Sequence, residues 1–346
     1  MGYDNKCKRL QKKGAGVMIR LKDIAQTCGV SVATVSRALN GLTDTTRGTG
    51  ALICQVAREM GYFPNAAARA LKTNRSYHIG VLYEDRMSHE YFSLVIDSLR
   101  KHAGEKGYDL TFVNRTGKDG SYLDHVLRRN LDGVVILQAD FNSPEVIRLA
   151  GSAIPLVVVD HEYPDRDCVM NDNGESMEEL VQAALNAGHR RLAFIHGEMG
   201  TVTRSRQEGF LRACKERGLA GESCRVLEGG FRDPDRCAGL IQELLKEENP
   251  PTCVFCPDDY SCLGALLLLE KQGIRVPEDV SLVGYDGIFL SEILRPRLTT
   301  YCQNAEQIGA SAVELLLDAI ENEQDHQPRQ AIVRGQFLEG ETLGPA

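Results

Sequence analysis

Residues 21–40 read L-K-D-I-A-Q-T-C-G-V-S-V-A-T-V-S-R-A-L-N. The first part of this stretch carries apolar or small residues at the 3–4 spacing of one helical face, namely Leu21, Ile24, Ala25 and Cys28. Gly29 supplies the conformational freedom that a tight turn needs, and Ser31 is a preferred N-cap for a second helix. The stretch therefore predicts a helix-turn-helix, in which two short helices are joined by a tight turn.

The second helix of this motif exposes short side chains and one arginine. In a helix-turn-helix, the N-terminal residues of the second helix reach base edges in the major groove of DNA. Val32 and Ala33 can touch thymine methyl groups, Arg37 can reach guanine O6 and N7, and hydroxyl groups suit phosphate contacts. The DNA contacts predicted in this segment are Ser31, Val32, Ala33, Thr34, Ser36, Arg37 and Asn40. The alternative is an ordinary helical pair with a solvated polar face.

The chain of 346 residues divides into a basic head and an acidic body. Residues 1–76 hold 13 Lys and Arg against 4 Asp and Glu, a net charge of +9, and the remaining residues have a net charge of −17. The overall value of −8 conceals this division. Because a basic segment attracts a polyanion, the head is predicted to meet nucleic acid and the body is not.

Two further segments follow the motif. A third helix is predicted at 51–60, with a break at 61–65. Residues 65–72, N-A-A-A-R-A-L-K, then form a helix too short to be stable alone in water. DNA or a partner would stabilise it, and its predicted DNA contacts are Asn65, Ala68 and Leu71, with Leu71 as a wedge for a minor-groove base step. The alternative is a plain linker.

The body alternates short apolar runs with amphipathic stretches. Near-continuous apolar runs are typical of parallel strands that are buried on both faces. Strands are predicted at 79–83, 110–113, 133–137, 156–160, 191–195, 252–255 and 280–284. Helices are predicted at 91–106, 124–130, 203–217, 235–247 and 261–272. This alternation predicts an α/β fold of two doubly wound lobes, with a ligand beyond the carboxyl ends of the strands, in the cleft between the lobes.

Polar and aromatic residues gather beyond the predicted strand ends. The predicted ligand contacts are Tyr91, Phe92, Asp160, Arg204, Phe231, Asp258 and Asp286. Carboxylates and an arginine can hold several hydroxyl groups by charge-assisted hydrogen bonds, and aromatic rings stack on the flat apolar face of a ring-shaped ligand. Each residue taken alone is also explained as a helix N-cap or a surface residue.

Cysteines and apolar runs exclude several protein classes. The 11 cysteines stand mostly in apolar or helical patterns, and Cys253 and Cys256 lack the second ligand pair of a zinc site. We expect these two side chains in the core, on opposite faces of a strand. No apolar stretch approaches a bilayer span, and the basic residues 1–17 lack the apolar part of a secretory signal. A cytoplasmic protein without a metal or cofactor is therefore expected.

These motifs together resemble the lactose/galactose repressor (LacI/GalR) family of transcriptional regulators. The head carries G-V-S-V-A-T-V-S-R-A-L-N-G at 29–41 and G-Y-F-P-N-A-A-A-R-A-L at 61–71. The body carries D-N-G at 172–174, R-x-R-x-x-G-F at 204–210 and G-Y-D at 284–286. The resemblance implies a hinge helix that folds on operator DNA and inserts Leu71 into a central CpG step. Arg20 departs from the family's usual threonine, and T-G-A-L-I at 49–53 lacks an arginine that would contact phosphate.

The resemblance also implies a small-molecule effector. Residues at the positions of Arg204, Phe231, Asp258 and Asp286 contact it in relatives, and those at Tyr91, Phe92 and Asp160 line the other lobe. Asp258 stands where asparagine is more common, which favours a neutral sugar over a phosphorylated sugar or a purine. Leucine heptads are absent after Leu338, so a homodimer on a pseudo-palindromic operator is expected.

The predicted domains follow from these motifs. They are a flexible basic extension at 1–17 (with Met18 as an alternative start), a helix-turn-helix domain at 18–63, a hinge helix and linker at 64–76, and an effector-binding and dimerisation domain at 77–346. Within the last, lobe 1 takes 77–172 and 304–330, and lobe 2 takes 173–303 and 331–343.

The predicted function is a sequence-specific transcriptional regulator, a repressor tuned by an effector and not an enzyme. One alternative is a sugar carrier of the periplasmic binding-protein type, against which the basic head and the missing signal argue. Another is an enzyme with an acid/base or metal cluster of Asp258, Asp259 and Asp286. The residues leave open whether the effector releases DNA or promotes DNA binding.

Overall fold

A computed structural model describes residues 19–39, 47–62, 70, 73–84, 89–115 and 120–346. The chain divides into two compact units, residues 1–76 and residues 77–346. The first is an all-α head and the second is an α/β body with parallel sheets. This confirms the predicted fold class.

Three described helices form the head, α1 (Leu21–Cys28), α2 (Val32–Leu39) and α3 (Arg47–Glu59). Ile24, Val35 and Ile53, one from each helix, are completely buried in its core. Gly29 ends α1 with a φ of +67°, a conformation in which a β-carbon is strained. Before α1, the backbone N–H of Arg20 donates to Asp23 at 2.8 Å, so an aspartate in the first turn helps to cap the helix.

The third helix differs from its prediction at the start. It begins at Arg47 rather than at 51, and so includes Gly48 and Gly50 in its first turn. A glycine in a helix costs about 1 kcal/mol relative to alanine. Burial of Val56 and Ala57 against the other two helices stabilises α3, because packing contributes more to a helix in a protein than propensity does.

The larger sheet of the body has six strands. They are β1 (His78–Tyr83), β2 (Asp109–Phe112), β3 (Gly133–Gln138), β4 (Leu156–Val159), β5 (Asp167–Asn171) and β11 (Gln330–Val333). Their order is β11-β5-β4-β3-β1-β2, and all neighbours are parallel. Helices α4 (Glu90–Glu105), α5 (Tyr122–Arg129), α6 (Pro144–Ala150) and α12 (Ala305–Glu321) accompany it. Val135 and Val134 lie in different core clusters, so the sheet is buried on both faces.

The second sheet has four parallel strands in the order β7-β6-β8-β9. They are β6 (Leu192–His196), β7 (Cys224–Glu228), β8 (Cys253–Phe255) and β9 (Ser281–Val283). Its helices are α7 (Asn173–Asn186), α8 (Thr201–Glu216), α9 (Pro234–Leu244), α10 (Asp259–Glu270) and α11 (Phe289–Ile293), and a 3₁₀ turn spans Gly221–Ser223. Strands β10 (Thr300–Cys302) and β12 (Gln336–Leu338) form an antiparallel pair.

The chain passes between the two lobes after β5, after β10 and after β11. Lobe 1 therefore keeps all of β11, and its last segment ends near Val333 rather than at 330 as predicted. The reason is that β11 pairs in parallel with β5 over Gln330–Val333. The apolar run of this edge strand has only three residues, Ala331 to Val333, which is too short to mark a strand in the sequence.

The predicted core positions of Cys253 and Cys256 are confirmed. Cys253 and Cys256 are buried in different core clusters, on opposite faces of the second sheet. Among the described residues, no group of three or more His, Cys, Asp or Glu side chains is arranged to hold a metal ion. No described helix combines the length and the apolar character that a bilayer span requires.

Candidate functional site

The head presents the N-terminal half of α2 as its candidate DNA surface. The Ser31 hydroxyl accepts from the backbone N–H of Thr34 at 3.1 Å, so Ser31 caps α2 as predicted. Val32 is 44% exposed, although it is apolar, and Ala33 and Arg37 are also exposed. The side chains of Thr34 and Ser36 are partly exposed on the same helix. The other predicted DNA contacts lie outside the described residues: Asn40, Asn65, Ala68 and Leu71.

The body contains a cavity of about 690 Å³ that residues of both lobes line. Five of the seven predicted ligand contacts line it, namely Tyr91, Phe92, Asp160, Phe231 and Asp286. They come from loops and helix starts that follow the carboxyl ends of parallel strands, where ligands bind in such folds. Two predicted residues, Arg204 and Asp258, do not line the cavity.

The arginine that lines the cavity on α8 is Arg206 rather than Arg204. Arg204 is exposed, whereas Arg206 is 5% exposed and lines the cavity. Both belong to α8, and residues two positions apart on a helix point roughly 200° apart, so only one of them can face the cleft. The motif R-x-R at 204–206 contains both residues, and the apolar pattern around it did not decide between them.

The Arg206 guanidinium is held at three points. Its Nε donates to Asn173 Oδ1 at 2.8 Å, its Nη1 donates to the carbonyl of Pro257 at 3.2 Å, and its Cζ lies 3.4 Å from the centroid of the Tyr285 ring. The positive charge of Arg206 opposes the rise in pKa that burial causes at Asp160, Asp258 and Asp286. Arg206 is therefore the cation that keeps acidic groups of both lobes next to one cavity.

Asp258 is a positioning residue rather than a lining one. Its carboxylate accepts from the backbone N–H and hydroxyl of Ser261, at 2.7 and 3.0 Å, and so caps α10. It also accepts from the backbone N–H of Arg232 at 2.7 Å, next to Phe231. Because protein donors occupy its carboxylate, the expected direct contact between Asp258 and the effector is not supported. The N-cap explanation applies to this residue.

The lobe 1 side of the cavity is a hydrogen-bonded chain of three side chains. Tyr91 Oη donates to Asp160 at 3.1 Å, and Asn171 Nδ2 donates to Tyr91 Oη at 2.9 Å. Burial raises the pKa of Asp160, and it raises the pKa of Tyr91 well above the usual range, together with the nearby charge of Asp160. The Tyr91 hydroxyl is therefore neutral. Hydrogen bonds from Tyr91 and Asn171 fix the orientation of the Asp160 carboxylate, which is an acceptor.

The lobe 2 side combines a carboxylate with an aromatic ring. Gln303 Nε2 donates to Asp286 Oδ1 at 2.6 Å, and burial, followed by the charge of Asp258, raises the pKa of Asp286 well above its usual range. The backbone N–H of Phe231 donates to Glu198 at 3.1 Å. A β-carbon at Gly197 would lie 2.3 Å from the Phe231 ring, so the ring fits in this position because residue 197 has no side chain.

Several lining residues were not predicted from the sequence. They are Gln138, Asp140, Phe141, His161, Glu198, Arg206, Arg232 and Gln303. Most of them follow a strand end, which is the signal that could have found them, but solvated loop residues carry the same signal. Only the packing of both lobes selects the residues that face the cavity.

The third carboxylate of the proposed acid/base cluster has a structural role. Asp259 is completely buried and accepts from the backbone N–H groups of Gly287 and Ile288, at 2.8 and 3.0 Å, and from the Thr300 hydroxyl at 2.6 Å. Burial raises the pKa of Asp259 to about 7. Asp258 and Asp259 thus both hold loops, which leaves Asp286 as the lining carboxylate of that group.

Comparison with known proteins identifies the family. Residues 20–65 match the bacterial regulatory proteins of the lacI family, and residues 181–343 match the periplasmic binding protein-like domain. The HTH-type transcriptional repressor PurR of Pasteurella multocida (strain Pm70) is 32% identical over 317 residues, which cover 90% of this chain and 94% of that protein. The chain belongs to the lacI family.

Solved structures of lacI family members have the same fold. A LacI transcriptional regulator from a Rhodococcus species is 26% identical, with a TM-score of 0.69 over 78% of this chain and 98% of that one. The lac repressor dimer bound to operator and the anti-inducer ONPF is 22% identical, with a TM-score of 0.77 over 95% of this chain and 100% of that one. As a lacI family member, the chain is a DNA-binding transcriptional repressor with an effector-binding domain.

Proposed function

We propose that this repressor binds a pseudo-palindromic operator as a homodimer and that a small neutral sugar in the interlobe cavity controls its DNA binding. The observation that carries the effector proposal is the pairing of Asp160 and Asp286, one on each side of the cavity, with the buried cation Arg206 near both. Carboxylates aimed in this way accept hydrogen bonds from hydroxyl groups.

Two amide oxygens of residues that line this cavity have no hydrogen-bond donor among the described residues. Gln303 donates its amide N–H to Asp286, and its Oε1 is buried without a partner among the described residues. Gln138 Oε1 is in the same situation. A buried acceptor without a donor costs about 1–3 kcal/mol, so a ligand hydroxyl gains free energy if these side chains turn toward it.

The charges around the cavity oppose an anionic effector. Acidic lining residues are Asp140, Asp160, Glu198 and Asp286, whereas the arginines that line it are Arg206 and Arg232. Arg206 already donates to Asn173 and to the Pro257 carbonyl. A phosphorylated sugar would bring its charge close to carboxylates, so we propose a neutral sugar.

A purine-type effector is the second candidate. It is suggested by the name PurR of the Pasteurella repressor, and the flat ring of Phe231 offers a stacking surface that suits a purine as well as a sugar. A purine base presents fewer donors than a sugar does. The carboxylates that line the cavity, as acceptors, therefore favour the sugar.

The DNA-binding proposal rests on α2. We propose that Ser31, Thr34 and Ser36 contact phosphate oxygens and that Val32, Ala33 and Arg37 read base edges in the major groove. For Asn40, Asn65, Ala68 and Leu71 the proposal rests on the sequence. Because its target is chromosomal DNA, we propose that the protein acts in the cytoplasm.

The dimer proposal is supported by exposed apolar side chains in both lobes. Leu94 on α4 and Phe112 on β2 are 52% and 42% exposed, and Phe289 on α11 is 62% exposed. Apolar residues of this size lose favourable burial unless another surface covers them. A second copy of the chain would cover them and would place two heads on the two halves of a palindromic site.

Two measurements test the proposed function. In a thermal-shift screen with neutral sugars, sugar phosphates and purine bases, we expect a neutral sugar to raise the melting temperature, because a ligand of the folded state stabilises it. Duplexes selected by the protein from a random library should contain a palindrome, and the sugar should change their affinity in one direction. If only a purine base raises the melting temperature, the proposal of a sugar effector is wrong. If the protein shows no salt-sensitive binding to DNA, the proposed operator binding is wrong.

A further inference from the structure

We propose that the interlobe cavity has a second aromatic subsite, formed by Phe141 and His161, which makes the effector a disaccharide rather than a monosaccharide. This inference rests on the proposed sugar function and names the size class of the sugar. Its residues are distinct from the polar group of Asp160, Asp286 and Arg206.

The subsite is a stacked pair of rings in adjacent loops. Phe141 follows β3 and His161 follows β4, and these neighbouring strands place the two loops side by side. Their ring centroids are 4.2 Å apart and their planes differ by 9°. Tyr163 packs its ring edge against His161 with centroids 4.8 Å apart, and its hydroxyl donates to the carbonyl of Phe141. The pair is therefore fixed in place.

Both rings face the cavity and are only half-buried. Aromatic side chains that serve the core of this protein are fully buried, as Phe194, Phe210 and Phe255 are. Leaving apolar ring surface in contact with water is unfavourable at roughly 25 cal/mol per Å². A fixed pair of half-exposed rings on a cavity wall is thus suited to a ligand that covers them.

A separate aromatic group lines the other part of the lobe 1 wall. Tyr91 and Phe92 contact each other with ring centroids 5.0 Å apart, and Tyr91 donates to Asp160. No ring contact between described residues joins this group to Phe141 and His161. The lobe 1 wall of the cavity therefore has two separate aromatic groups.

The size of the cavity fits two sugar rings. Cavities that enclose a drug-sized ligand measure about 300–1,000 Å³, and a disaccharide of about 23 non-hydrogen atoms belongs to that size class. The cavity of about 690 Å³ therefore has room for two sugar rings. One ring at Asp160 and Asp286 leaves the space next to Phe141 for a second ring.

The second subsite also reaches the other lobe. The hydroxyl of Thr201, at the start of α8, lies 3.3 Å from His161 Nδ1. Burial lowers the pKa of His161, so its ring is neutral at neutral pH and suits the apolar face of an uncharged sugar. A ring seated on this pair would contact both lobes at a point where they already touch.

Titration calorimetry on the full-length protein tests this inference, with glucose, galactose and their disaccharides maltose, cellobiose, lactose and melibiose as probes. We expect at least one disaccharide to bind tenfold or more tightly than its own hexoses. Phe141→Ala should weaken that disaccharide about tenfold and each hexose less than twofold, and Phe141→Tyr should restore binding. Ile147→Ala, an exposed apolar residue of the same lobe outside the cavity, is the matched control and should change neither.

The outcomes separate the two proposals. If a hexose binds as tightly as every disaccharide, or if Phe141→Ala weakens both equally, the second subsite is wrong while the sugar function stands. If no probe of either size binds, the sugar function is wrong and the subsite with it. Should Phe141→Ala fail to fold, Phe141→Leu retains an apolar side chain without the flat ring, and the same tenfold loss is expected.

Discussion

Replacing Arg206 by alanine should damage both the stability of the body and its response to effector, whereas the same change at Arg204 should do neither. The two residues are two positions apart on α8, so the pair forms its own control. Arg206 is buried beside three acidic residues, and Arg204 is exposed.

The magnitude follows from what Arg206 holds. It donates to Asn173 Oδ1 and to the Pro257 carbonyl, and each hydrogen bond from a charged group contributes about 1.5–3 kcal/mol. Its contact with the Tyr285 ring adds about 2 kcal/mol when desolvated. Removing one member of a buried charged group typically costs about 3–5 kcal/mol. At roughly 2–4 °C per kcal/mol, the melting temperature should fall by on the order of 10 °C.

The loss should depend on pH. Burial raises the folded-state pKa of Asp160, Asp258 and Asp286, and Arg206 opposes that rise. A carboxyl group whose pKa is raised in the folded state binds more protons when the chain is folded. The free energy of unfolding therefore falls as the pH rises from about 3.8, the ordinary pKa of the group, through its folded-state pKa. Without Arg206 the folded pKa values rise further and this window extends upward. The destabilisation relative to the wild type should therefore be larger at pH 8 than at pH 5.

Thermal melting at both pH values, and calorimetry with the sugar found in the screen, provide the assay. Arg206→Ala should lose on the order of 10–100-fold in effector affinity, the equivalent of 1.5–3 kcal/mol. Arg204→Ala should stay within about 0.5 kcal/mol of the wild type, as surface substitutions usually do. A normal effector response in Arg206→Ala, or a lost response in Arg204→Ala, would refute the placement of the arginine.

Three further substitutions probe other parts of the protein. Arg37→Ala should cost about 1–3 kcal/mol in operator affinity and relax base preference at one position, measured by fluorescence anisotropy on matched and mismatched duplexes; unchanged affinity would count against α2 as the reading helix. Gly197→Ala should displace the Phe231 ring, which a β-carbon would meet at 2.3 Å, and weaken effector binding while operator affinity without effector is retained. Asp258→Ala should lower stability by about 0.5–2 kcal/mol through the lost cap at Ser261, and Asp258→Asn should recover most of it; equal losses in thermal melts would argue against capping.

The helix-turn-helix of the head could be predicted from the sequence because its contacts join residues that are close in the chain. The spacing of Ile24, Gly29 and Val35 indicated two helices and a turn, and the structure places each as expected. The start of α3 was not readable, because Gly48 and Gly50 are poor helix formers that tertiary packing overrides. The edge strand β11 was not predicted, because its apolar run of Ala331 to Val333 is only three residues long.

The site shows where sequence reasoning ends. Strand ends located Asp160 and Asp286 correctly at the cavity, because parallel strands deliver their carboxyl ends to one edge of a sheet. They also suggested Asp258, whose carboxylate proved to be occupied by backbone donors. A carboxylate at a strand end can cap the next helix or face the cleft, and the two roles have the same sequence signature.

The sequence by itself determined the class of the protein: a basic helix-turn-helix head on an acidic body of two α/β lobes, with a cleft between them. Hydrophobic periodicity and local charge indicate these features, because each depends on residues that are only a few positions apart in the chain. Only the tertiary structure decided that Arg206 and not Arg204 faces the cleft, that Asp258 supports a loop, and that Phe141 stacks on His161. Each of these depends on the rotation of a helix or the pairing of distant strands, which short-range patterns do not specify.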